Sequence, residues 1–140
     1  MSIHCDNLIQ RLCIRTVDDL VIQLLAFNVR ILIMNTLKWD KNFALEQAAD
    51  DAELLQELLE IFKDSFQSDI QLIEQGLAAE EAVKVCRAAH SIKGAAASLG
   101  IKGVYEIALA IEEDSKIGGL ENARNTLSLL KSMREELETL

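Results

Sequence analysis

The sequence predicts an all-α protein, an antiparallel up-down four-helix bundle with a short preceding helix and an apolar N-terminal extension. Three observations carry this. The 140 residues contain no proline, the residue that helix interiors tolerate least. Between residues 34 and 140 the apolar residues recur at steps of three and four, with no strand-like alternation. Capping residues and glycines fall between these periodic stretches, so the connections are short, and short connections between amphipathic helices make antiparallel neighbours.

The elements follow in order. The stretch "NFALEQAADD" can form one short helix, with Asn42 as its N-cap. A long amphipathic helix comes next, capped by Asp51 and ending near Gly76. Its apolar face is Leu55, Leu58, Leu59, Phe62, Phe66, Ile70, Ile73 and Leu77. A third helix runs from about Glu80 to Leu99, with Gly100 as the residue that stops it. A fourth carries Ile101, Val104, Ala108 and Ile111 and ends at Gly118 and Gly119. A fifth carries Leu120, Ala123, Leu127, Leu130 and Leu137. Half of all residues are apolar and only 4% aromatic, so the core is expected to be aliphatic.

Residues 1–33 are set apart from 34–140. Their three arginines (Arg11, Arg15, Arg30) balance three aspartates (Asp6, Asp18, Asp19), so the whole net charge of −9 sits in the bundle. The run "LVIQLLAFNVRILIM" (20–34) is apolar but interrupted by Gln23, Asn28 and Arg30. A membrane span needs about 20 predominantly apolar residues. Three readings remain open: a helix docked on the bundle or on a second copy; an interfacial anchor, disfavoured by a polar face without lysine; or added sequence upstream of a start at Met34. The acidic charge weighs against a nucleic-acid partner. Three cysteines (Cys5, Cys13, Cys86) without a CxxC pair, and two histidines (His4, His90), suggest neither a disulfide framework nor a metal site. A cytoplasmic protein with a protein partner is the expectation, with a membrane partner disfavoured.

The chemistry concentrates in "AAHSIKGAAASLG" (88–100), a histidine surrounded by small residues. A helix turns about 100° per residue, which puts His90 about 160° from the core residue Ile92 and toward solvent. Its neighbours on that face are Cys86, Arg87, Lys93, Gly94 and Ala97. Gly94 lies one turn on, where glycine costs about 1 kcal/mol relative to alanine, and Ala97 continues the clearing. The pattern is that of a face left open for something large. Lys93 and Arg87 flank the histidine with positive charge, and Lys93 is expected to be exposed. No buried carboxylate partner for the imidazole is evident. A neutral imidazole is a competent nucleophile, and a phosphoryl group needs cations near its oxygens. The chain has no Walker-type or GxGxxG motif and no carboxylate cluster for Mg²⁺ beside His90. It looks able to hold a phosphoryl group but not to generate one from ATP.

The stretch "AHSIKGAAASLG" resembles the histidine-containing phosphotransfer (HPt) domain of two-component phosphorelays. The family pattern of histidine, lysine at +3, glycine at +4, small residues and then leucine-glycine is met by His90, Lys93, Gly94, Ala95 to Ala97, Leu99 and Gly100. The stretches "ELLQELLEIFKDSF" and "IALAIEEDSKIG" resemble the helices on either side, and the similarity spans roughly 36–140. The resemblance implies that His90 is the phosphoacceptor, that Lys93 stabilises phosphoryl oxygens, and that Gly94 permits a partner to dock, with Arg87, Ala97 and Cys86 around it. It implies response-regulator receiver domains or a hybrid sensor histidine kinase as partners. It implies no cofactor of the chain's own, with Mg²⁺ on the receiver. Ser98 meets the family's polar position near +8, either bonding within the site or ending the helix. From the residues alone another class of function stays open: a non-catalytic acidic adaptor in which His90 is a bystander.

Overall fold

Four of the five helices begin where a side chain or a tether takes up a first-turn N–H group, and the helix that carries His90 has no side-chain cap. This computed structural model describes residues 37–140, and Val21 before them. The apolar extension expected at 1–33, with His4, Cys5 and Cys13, otherwise lies outside the described residues. Helix α1 (Lys41–Gln47) starts at Asp40, whose carboxylate accepts the Phe43 N–H at 3.1 Å. The cap is therefore two residues earlier than Asn42, the residue the sequence suggests. The reason is tertiary: the Asp40 N–H donates to the Gly100 carbonyl at 2.9 Å, which holds the chain outside the helix at that point.

Helix α2 (Ala52–Ala78) is capped by Asp51, which accepts from the N–H groups of Glu53 and Leu54. It buries Leu55, Leu59, Phe62, Phe66, Ile70 and Ile73, with Leu58 and Leu77 half-buried. Phe62 and Phe66 stack one turn apart, ring centroids 5.4 Å from each other. Helix α3 (Ala82–Ser98) buries Val85, Ala88, Ala89, Ile92 and Ala96. Helices α4 (Lys102–Lys116) and α5 (Glu121–Leu137) complete the set. α2 and α4 each pack against both α3 and α5, which closes the four-helix bundle. The expected helices are all present; α2 to α5 end within two residues of the expected positions, whereas α1 stops at Gln47, four residues short of the stretch the sequence suggests. Among the described residues there is no strand, and no helix is long and apolar enough to cross a membrane.

The most extensive pairing is between α3 and α4, with alanines filling the buried face of α3. Small side chains let the two helices lie close, which matters because the candidate site residues His90 and Lys93 sit along that seam. Gly100 turns the chain between them at φ +67°, a left-handed conformation that favours glycine. A Cβ there would lie 2.9 Å from the Asp40 carbonyl. Residues 37–40 strap this turn. Leu37 is buried, its carbonyl accepts the Gly103 N–H at 2.9 Å, and the Trp39 indole donates to the Leu99 carbonyl at 3.0 Å.

Candidate phosphoryl-acceptor site

His90 lies at the middle of α3 with its side chain 68% exposed, on the side opposite the buried alanines. This is the orientation that helical phase requires. The imidazole is nevertheless not alone. Its Nδ1 is 2.8 Å from Oε1 of Glu112, a carboxylate on α4 whose side chain is only 3% exposed. The sequence offered no evident partner for the imidazole, and that expectation is corrected here.

Three groups meet at Glu112. Lys93 Nζ lies 2.5 Å from Oε2, an ion pair set by distance rather than by hydrogen-bond alignment. Lys116 Nζ, one turn along α4, lies 3.1 Å from Oε1, the oxygen that His90 also meets. The Lys93 ammonium, then the contacts from His90 and Lys116, outweigh desolvation and hold the Glu112 carboxyl well below its usual range, at about 2. Glu112 raises the Lys93 ammonium in return. Glu112 is thus ionised at any ordinary pH, and an ionised carboxylate can only accept. A neutral His90 must then carry its single proton on Nδ1, donating to Oε1. That leaves the lone pair on Nε2, the nitrogen away from the carboxylate.

The other expected residues divide between two flanks of α3. Lys93 is drawn toward α4 and is only 22% exposed, more buried than the sequence suggests, because its ammonium follows the buried carboxylate. Cys86 is half-buried, its thiol turned to the Glu112 carbonyl at 3.9 Å, so it packs the seam rather than offering an open surface. Arg87 is exposed but lines a groove on the other flank with Asp69 and Leu72 of α2. The structure therefore does not gather Arg87 and Lys93 into one patch. Gly94 and Ala97 are exposed, and a Cβ built on Gly94 meets nothing within 4 Å. Ser98 is exposed and donates to the Ala95 carbonyl of its own helix at 2.8 Å, which makes it a helix-end residue.

On the α2 flank the residue after the histidine, Ser91, donates to Oδ2 of Asp69 at 2.7 Å. Asp69 is buried, and burial pushes its carboxyl up, partly offset by that serine bond. Neither Glu112 nor Asp69 was singled out in the sequence. A signal was present: Glu112 falls between Ala108 and Ser115, and Asp69 between Phe66 and Ile73, at the spacing of the buried stripe. A carboxylate in core phase is rare unless it is paired. Among the described residues no cluster of three or more His, Cys, Asp or Glu could hold a metal ion.

Comparison with known proteins now decides the family. The model of the Hpt domain matches residues 57–140. The chain belongs to the Hpt family. The match begins inside α2 and takes in His90 and Glu112 but not the strap at 37–40. A crystal structure of the HPt domain from a sensor hybrid histidine kinase of Shewanella superposes with a TM-score of 0.63 at 20% identity, covering 76% of this chain and 93% of that one. At that identity the likeness speaks for the fold. No curated protein matches the sequence. Membership gives this Hpt domain a histidine phosphotransfer role in phosphorelays, with receiver domains as the class of partner.

Proposed function

We propose that His90 Nε2 accepts a phosphoryl group from the aspartyl phosphate of a receiver domain and passes it to the aspartate of another. The observation that carries this is the 2.8 Å contact from Nδ1 to an ionised, buried Glu112, which leaves the exposed Nε2 as the nucleophile. In the step, the Nε2 lone pair forms a bond to phosphorus. The phosphorus–oxygen bond of the aspartyl phosphate breaks, and its electron pair leaves on the receiver's carboxylate. The ring keeps the Nδ1 proton and becomes cationic. Glu112, one hydrogen bond away, stabilises the charge that develops, so no proton has to leave for the transfer to proceed. Lys93 adds positive charge to the same face, and Gly94 leaves that face open to the partner. Mg²⁺ is the receiver's contribution, consistent with the donor set at His90, where the carboxylate that meets the imidazole is already held by cations.

The reaction is reversible in this scheme, because phosphohistidine and aspartyl phosphate are both high-energy linkages and the same atoms serve both directions. The test is to incubate the protein with a phosphorylated receiver and look for an acid-labile, alkali-stable label. The wild-type chain takes it up and His90→Gln, still folded, does not. A label retained in His90→Gln overturns the assignment. No label on the wild-type chain from any receiver tried would favour the adaptor reading.

A further inference from the structure

The site carries one more cation than the family pattern requires, and the two lysines are not held alike. Lys93 is the sole ion-pair partner of Glu112 Oε2 among the described residues, and it is largely buried. Removing its ammonium would leave a buried carboxylate oxygen unpaired, which is expensive. Lys116 differs on each count. It is 57% exposed, its contact is longer at 3.1 Å, and the oxygen it meets keeps the His90 Nδ1 proton when the lysine departs. It also starts from a place beside the imidazole, since both touch the one oxygen.

Resting on the reading of His90 as phosphoacceptor, we propose that Lys116 is the mobile cation of the site: when Nε2 is phosphorylated, its ammonium leaves Glu112 Oε1 for a phosphoryl oxygen, while Lys93 stays on Oε2. The electrostatics favour the exchange. A phosphoryl group brings up to two negative charges, whereas Glu112 brings one, which Lys93 and the imidazole already share. The ring turns cationic at the same moment and tightens its own bond to Oε1, which makes Lys116 redundant there. Lys93 is then a positioning residue, and Lys116 is the lysine that touches the transferred group. The geometry accounts for both lysines without asking either to serve two anions at once.

The experiment uses the full chain carrying His4→Gln, so that phosphoramidate loads only His90. Nε2 bonds to phosphorus as the phosphorus–nitrogen bond of the reagent breaks and ammonia leaves with the electron pair. The second ionisation of the phosphoryl group is then followed by its ³¹P resonance. A cation in contact lowers that midpoint, so Lys116→Met is expected to raise it by about 0.5–1 pH unit. Lys116→Arg, which keeps the charge, holds it near the wild-type value. Lys131→Met, a change remote from His90 in sequence on α5, leaves it unmoved. Lys93→Met is expected instead to disturb the Nδ1 proton signal of the unphosphorylated protein. An unchanged midpoint in Lys116→Met, in a protein whose Nδ1 signal shows the site intact, overturns the proposal. Failure of the underlying reading looks different: phosphoramidate would still load His90, but a phosphorylated receiver would leave the wild-type chain unlabelled.

Discussion

Adjacent residues of α3 reach two buried carboxylates on opposite flanks, and the two carboxylates behave oppositely. His90 meets Glu112 on α4, and Ser91 meets Asp69 on α2. Both acids are shielded from water, which by itself favours the neutral form. Glu112 has two ammonium groups and an imidazole around it and is held down to about 2. Asp69 has a serine hydroxyl, and burial raises it. Burial therefore does not set the sign of the shift; the number of cations brought to the group does. The same contrast separates chemistry from packing. The Glu112 flank fixes a proton on the imidazole proposed as the nucleophile, whereas the Asp69 flank ties α2 to α3 through the Ser91 hydrogen bond.

Neutralising each acid in turn should pull the two flanks apart. The largest effect belongs to Glu112→Gln. It removes the charge facing the imidazole, and a hydrogen bond to a charged group is worth about 1.5–3 kcal/mol. Phosphoryl acceptance by His90 should slow by roughly tenfold to a hundredfold on that scale. Stability at pH 7 should fall by about 1–3 kcal/mol. The folded carboxyl of Glu112 is depressed, so its contribution is fully present above the usual value of 4.5 and is lost as pH falls through about 2. Melts of wild type and Glu112→Gln should therefore converge as the solution is acidified. A gap that stays constant with pH would mean that the carboxylate's charge is not what stabilises the site.

Gly94 tests whether the open face between the flanks is used. A Cβ there meets only solvent, so Gly94→Leu should fold, and it should gain about 0.5–1 kcal/mol by removing a helical glycine. Transfer from a receiver should nevertheless drop by about tenfold or more, from a steric block that displaces the partner by a side chain's width. Labelling by phosphoramidate, which needs no docked partner, should stay near wild type. Wild-type transfer in Gly94→Leu would show that the partner does not approach over this residue.

The smallest effect belongs to Asp69→Asn. The folded carboxyl of Asp69 is raised, so its ionisation opposes folding. The stability it allows is complete below the usual value of 3.8 and declines as pH rises through the folded value. Asparagine keeps an acceptor for Ser91 and removes the buried charge. Stability at pH 7 should rise by up to about 1 kcal/mol, the gain should vanish near pH 3, and phosphoryl acceptance should change less than about twofold. A large loss of acceptance would place Asp69 in the chemistry after all.

Helix number, the α2 cap and the core faces were legible because they depend on local pattern. Asp51 caps α2 through its own neighbours, and the stripe from Leu55 to Ile73 is buried where a period of 3.6 residues puts it. The outward phase of His90 was legible for the same reason, since one helix fixes which of its residues share a face. The Asp40 cap was not legible, because the Asp40 N–H that holds the chain there donates to Gly100, 60 residues away in sequence.

The site shows the same division. By itself the sequence determined that His90 stands outward on a helix cleared of bulk, with Lys93 and Gly94 one turn on. Only the tertiary structure decided what the imidazole faces. The close α3–α4 pairing carries Glu112 to Nδ1, turns Lys93 inward, adds Lys116 and sends Arg87 to the other flank. The physical reason is that helical phase is set by bonds within one segment, whereas a side chain's charge partners depend on the register and spacing of two helices. That register is fixed by how the buried alanines of α3 pack against α4, over a distance in sequence that no local pattern records.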